Sequence, residues 1–141
     1  MRIPDVNVLV YACDPASAHS AAAREWIERA LSSNDTVGFA IVAVLGFVRV
    51  ITNPRVFRDP LAPAEAFDQV DEWLAQPPAM IIGPSSRHLG ICRELLETSG
   101  TAGNLTTDAH LAALAIERGA MLASFDGDFH RFGGLQLEYL H

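Results

Sequence analysis

Apolar residues fall along this chain in short blocks of two kinds, and the alternation between them predicts the elements. Val- and Ile-rich runs without a helical period mark strands, while apolar positions recurring every third or fourth residue mark helices. Ile3 to Ala12 (IPDVNVLVYA) is a nearly continuous apolar run and reads as a strand buried on both faces of a parallel sheet. Asp14-Pro15 then turns the chain into a helix from Ala18 to Leu31, with Ser17 or Ser20 as its cap and Trp26, Ile27 and Ala30 on its apolar face. A short strand from Thr36 to Ala40 precedes Ile41–Ile51 (IVAVLGFVRVI), whose length favours a buried helix over a strand.

A loop with prolines and arginines, Thr52 to Pro60, leads to a helix that opens with Pro63 and runs to Ala75, ended by Pro77-Pro78. Met80–Ile82 reads as a very short strand, and Ser85 or Ser86 caps a further amphipathic helix to about Thr98. After Gly100 and Gly103 comes an alanine-rich helix containing Asp108, capped by Thr106 or Thr107 and stopped by Gly119. Met121 to Ser124 follows as a buried strand, and Gly133-Gly134 turns the chain into an alternating edge strand, Leu135 to Leu140. About five short strands alternating with helices predict an α/β sandwich with a mostly parallel sheet.

Length sets this as one domain over residues 1–141, because the chain is too short for two comfortable cores. Half of the residues are hydrophobic and 19% are charged, as in a globular protein. No apolar run approaches the roughly 18 residues of a membrane span, and the first residues lack the pattern of a signal peptide, so a cytoplasmic protein is expected. Cys13 and Cys92 stand alone in apolar settings and read as buried thiols, without disulfide or zinc spacing.

Charge changes the picture more. A formal charge of −7 excludes a general basic coat for nucleic acid. It does not exclude a nucleic-acid substrate, since carboxylates gathered around a cation inflate the formal count. Four aspartates sit in such apolar surroundings that surface charge explains them poorly: Asp5, Asp108, Asp126 and Asp128. Asp5 and Asn7, two apart, project to one side of a strand, and burying that pair is costly without a partner. Asp126 and Asp128 follow their strand directly, where α/β sites form. Hard oxygen ligands of this kind suit Mg²⁺ or Mn²⁺, and such a site mostly serves phosphate chemistry. Arg49, Arg55 and Arg58 form a candidate phosphate-contacting patch, with a solvated surface loop as the plainer reading. His110 and His130 lie two residues from Asp108 and Asp128, but helix surface and loop are the better reading of them.

The stretches PDVNVLVYA, TNPRVF and, above all, GTAGNLTTDAHLAALAIERGAMLASFDGDFHRF resemble the PIN-domain nucleases, specifically the VapC-type toxins of toxin–antitoxin pairs. The resemblance covers essentially the whole chain. It implies a PIN-like three-layer sandwich and a Mg²⁺- or Mn²⁺-dependent endoribonuclease cutting tRNA or ribosomal RNA. It also implies a homodimer silenced by a VapB-like antitoxin. Asp5, Asp108, Asp126 and Asp128 match the family's acids, Thr107 precedes one of them, and Asn7 and Ser124 match supporting polar positions. One departure stands out: Gly46 occupies the helical position where the family commonly has a Glu. That leaves a catalytically weakened domain, acting mainly by binding RNA or antitoxin, as the rival reading. A small phosphatase-like enzyme ranks last, because it wants a DxD where this chain has Asp5-Val-Asn7.

Overall fold

The computed structural model describes residues 1–141. Five parallel strands form one sheet: β1 (Arg2–Pro4), β2 (Val37–Ala40), β3 (Ala79–Ile82), β4 (Met121–Ser124) and β5 (Gln136–Tyr139), in the order β3-β2-β1-β4-β5. The helices are α1 (Val6–Ala12), α2 (Ser20–Leu31), α3 (Ile41–Ile51), α4 (Pro63–Leu74), α5 (His88–Ser99) and α6 (Thr106–Glu117). Strand order then dictates the layers. The steps from β1 to β2 and from β2 to β3 run one way across the sheet, whereas the step from β3 to β4 runs back. Right-handed crossovers therefore put α1 to α4 on one face and α5 with α6 on the other. The packing agrees, since α1 contacts α2 and α3, α3 contacts α4, and α5 contacts α6.

The predicted α/β sandwich with a five-strand sheet is what forms, and the sheet is wholly parallel. The expected strand over Ile3–Ala12 is the main correction. The strand ends at Pro4, and Asp5 caps a helix from Val6, its Oδ1 accepting from the Val6 N–H at 2.7 Å. This helix packs against α2, α3 and β4, with Val8, Leu9 and Val10 buried, so its apolar residues are not confined to one stripe. Such burial erases the helical period that sequence reading depends on. α6 has the same character, with Ala109 and Leu111–Ala115 all buried.

Three predicted caps also differ. His19, Arg87 and Leu105 occupy the N-cap positions of α2, α5 and α6, none with a capping side chain. Ser17 and Ser85 instead accept from the backbone N–H two residues on, shaping the approach to the helix. Before α6 a 3₁₀ turn, Gly103–Leu105, leads straight into the helix and makes Thr106 and Thr107 helical residues, not caps. No helix is long and apolar enough to cross a membrane.

Candidate metal centre

β1 and β4 are neighbours, yet the chain leaves them toward opposite halves of the sheet, so the strand order switches between them. Crevices at the carboxyl ends of such strands are where open α/β sheets place their sites. Pro4 pairs with Ala123 in register, which sets Asp5 beside Ser124, and the Asp5 N–H donates to the Ala123 carbonyl at 2.9 Å. Asp5 needs no reach from within a strand, because the strand stops one residue before it.

Ser124 organises this edge. Its fully buried hydroxyl donates to Asp5 Oδ2 at 2.7 Å and accepts from Asn7 Nδ2 at 3.1 Å and from the Asp126 N–H at 2.9 Å. One donor and two lone pairs are all a hydroxyl has, so it is fully used. Asn7 continues the chain of bonds, its Oδ1 accepting from the Phe125 N–H at 3.2 Å. Asp126 caps a 3₁₀ segment, Gly127–Arg131, and its Oδ1 accepts from the Asp128 N–H at 2.9 Å. Asp108 arrives from the first turn of α6, near the positive end of that helix.

The charges are felt across the group. Partial burial and the negative charges of Asp5, Asp126 and Asp128 push the Asp108 carboxyl up to about 6, with Arg131 opposing them. Burial also raises Asp5, more than the hydrogen bonds from Ser124 and Val6 lower it, and Asp126 adds to the rise. None of the four acids forms a salt bridge, and Asp108 accepts no hydrogen bond at all. No three His, Cys, Asp or Glu side chains are already drawn to ligand distance around one point. The acids thus repel without collapsing, and their hard, under-neutralised oxygens fit a divalent cation chemically. Asp108 and Asp128 have both oxygens free, and Asp126 has one.

The other sequence candidates fare differently. Asn7 and Ser124 belong to the network, whereas Thr107 is exposed and hydrogen-bonds to none of the acids. Arg49 is exposed in the last turn of α3, Arg55 and Arg58 are exposed in the loop after it, and none of the three forms a salt bridge. Arg131, which sequence reading passed over, is the one basic side chain whose charge reaches Asp108. Its signal was adjacency, since the 3₁₀ segment carrying Asp128 also carries it. His110 faces α5, its Nδ1 at 2.7 Å from His88 Nε2, and so is neither helix surface nor an acid-site group. His130 is exposed in the 3₁₀ segment Gly127–Arg131, beside Tyr139, and so is not a loop residue. Cys13 and Cys92 are half-buried free thiols, both raised by burial, Cys13 to about 11.

Gly46 has a steric explanation. A Cβ there would stand 2.7 Å from Val6 Cγ2, closer than atoms pack, because α3 crosses α1 at this point. The residue next to Asp5 therefore occupies the space an acidic side chain at 46 would leave by.

The profile of the PIN domain matches residues 2–135. This chain belongs to the PIN domain family. Within it, the chain is 46% identical over 136 residues to ribonuclease VapC37 of Mycobacterium tuberculosis, covering 96% of this chain and 94% of the relative. It is 40% identical to ribonuclease VapC33 of the same organism over 136 residues, covering 96% and 95%. Among solved PIN domain structures, the chain resembles VapBC2 of Rickettsia felis bound to a promoter DNA fragment, with a TM-score of 0.73 at 20% identity over 99% of this chain and 98% of that one. It also resembles Mycobacterium tuberculosis VapC20, a sarcin–ricin loop cleaving toxin, with a TM-score of 0.69 at 15% identity over 96% and 99%.

Proposed function

We propose that this PIN domain is a Mg²⁺- or Mn²⁺-dependent endoribonuclease, a VapC-type toxin whose targets are structured RNAs such as tRNA or ribosomal RNA. The observation that carries the reading is the cluster of Asp5, Asp108, Asp126 and Asp128 at the switch point, with Asp108 pushed up to about 6 by partial burial and then by the charges of the other three acids. Curated relatives of up to 46% identity named as ribonucleases support the chemistry and do not favour a domain that only binds.

Asp5, Asp108 and Asp126 would hold the ion, with Asp128 assisting directly or through water. A divalent ion there supplies an activated water and charge neutralisation on the phosphodiester. The chain's own part is positional. Ser124 and Val6 pin both Asp5 oxygens, Asn7 holds Ser124, and the Asp128 N–H fixes one oxygen of Asp126. Arg131 is available to the phosphate on the side facing Asp108. The proposal extends to a homodimer and to a VapB-like antitoxin, for which the exposed apolar residues Ile41, Leu45, Val56 and Phe67 offer a surface.

Cleavage of total RNA with Mg²⁺ or Mn²⁺ tests this. Asp5→Asn and Asp108→Asn should each lower the rate about a hundredfold or more while remaining folded. Equal cutting by the wild type and both variants would remove the assignment.

A further inference from the structure

Beside the acids stands a group of rings that the proposed chemistry does not use. Tyr11 in α1, His19 at the N-cap of α2, and Phe125, between Ser124 and Asp126, pack as a triangle. Ring centroids lie 5.2 Å apart for Tyr11–His19 and for Tyr11–Phe125, and 4.7 Å apart for His19–Phe125. The acid site itself sets Phe125 in place, since its N–H donates to the Asn7 amide that also holds Ser124.

Two features distinguish the triangle from a plug that seals the core. All three residues are only half-buried, so the rings are not sealed within the core. The Tyr11 hydroxyl and the His19 ring nitrogens have no partner within the chain, and the sole buried side-chain polar atom lacking one is His88 Nδ1. The polar atoms of Tyr11 and His19 therefore reach solvent. Buried Tyr and His would ordinarily satisfy such atoms internally.

The chemistry that suits this surface is a nucleobase. At a net charge of −7, with Arg131 the only basic group felt at Asp108, phosphate attraction contributes little here. A strand must then gain its affinity elsewhere, and stacking of bases on aromatic rings is strong and tolerant of sequence. The free hydroxyl and imidazole can meet a base edge or a 2′-hydroxyl.

We infer that Tyr11, His19 and Phe125 form a stacking subsite for one unpaired nucleobase flanking the phosphate at the acids, so that RNA is engaged where it is single-stranded. A base inside a duplex has both faces covered and cannot occupy it. The inference rests on the ribonuclease reading of the neighbouring acids.

The test uses the full-length chain and an unstructured 12-nucleotide RNA with one 2-aminopurine, alone or annealed to its complement, with Ca²⁺ in place of Mg²⁺ to slow cleavage. The single strand should bind roughly tenfold or more tightly than the duplex, with a change in 2-aminopurine fluorescence. His19→Leu, which keeps apolar bulk without a ring, should weaken binding roughly tenfold, and His19→Phe should restore it. In Mg²⁺, His19→Leu should raise KM by the same factor and leave kcat unchanged. Equal binding of strand and duplex, or a His19→Leu variant indistinguishable from wild type, overturns the subsite. If wild type cuts RNA and His19→Leu cuts it with the same KM, the subsite fails and the ribonuclease reading stands. If stacking is seen but nothing is cut in Mg²⁺ or Mn²⁺, the subsite stands and that reading fails.

Discussion

α6 carries a carboxylate near each end, and the fold treats the two in opposite ways. The Glu117 side chain is only 1% exposed, yet it is well supplied. Its oxygens accept from the Ser85 N–H at 3.1 Å and the Ser85 hydroxyl at 2.8 Å, and the His88 ring stands 3.6 Å away. Asp108 is less buried, accepts no hydrogen bond and faces three other acids. A structural carboxylate is given its donors by the chain, because an unpaired buried charge costs several kcal/mol. One left without them is provided for from outside. That contrast, more than the number of acids, is what the proposed metal site rests on at the Asp108 end of the helix.

The contrast can be broken at either end. The largest effect is expected at the supplied carboxylate, where Glu117→Ala removes the acceptor of the Ser85 N–H and hydroxyl and the carboxylate 3.6 Å from the buried His88 ring. It should cost about 3 kcal/mol, lowering Tm by about 10 °C in a thermal melt, with little change in metal affinity. Ser124→Ala comes next, since it removes the donor to Asp5 and the acceptor for Asn7 and Asp126 at once. About 2 kcal/mol of stability should be lost, and metal affinity by titration calorimetry should fall about 10- to 100-fold.

A smaller effect is expected where α3 meets α1. Gly46→Ala drives a methyl into the stiff Val6 side chain, and the gain in helix propensity only partly offsets the strain. A net loss of about 1 kcal/mol should appear in denaturant unfolding. Adding Val6→Ala should recover more than additivity allows, which a double-mutant cycle would read directly.

How much of this was legible beforehand follows from where burial is one-sided. α4 exposes its charges and buries Ala66, Val70 and Trp73, so its period was plain, as was the apolar block of β4 ending in acidic residues. α1 is packed on several sides, and its Val-rich sequence looked like the strand it adjoins. Asp5 before an apolar run was itself a cap signal, and the run's composition masked it. The four acids stood out as candidates from their apolar surroundings. Ser124 as the junction of three hydrogen bonds could not be weighed, because its role depends on the register of β1 with β4. His88 with Glu117, and Arg131 with Asp108, are likewise pairs made by tertiary packing across 29 and 23 positions, and no local pattern announces them.

The most direct measurement is the melting temperature of the metal-free protein against its Asp108→Asn variant, across pH, with Mn²⁺ added as a second arm. Because the Asp108 carboxyl sits at about 6 in the fold, above its ordinary 3.8, its ionised form is disfavoured there. The wild type should therefore lose stability as pH rises from about 4 to 6, by about 1 kcal/mol once solvent screening is allowed for. Asp108→Asn should be the more stable protein at pH 7 without metal, should match wild type near pH 4, and should lose most of the stabilisation that Mn²⁺ gives wild type. A variant that melts lower than wild type at pH 7 without metal, or that gains as much from Mn²⁺, would contradict an uncompensated acid cluster awaiting a cation.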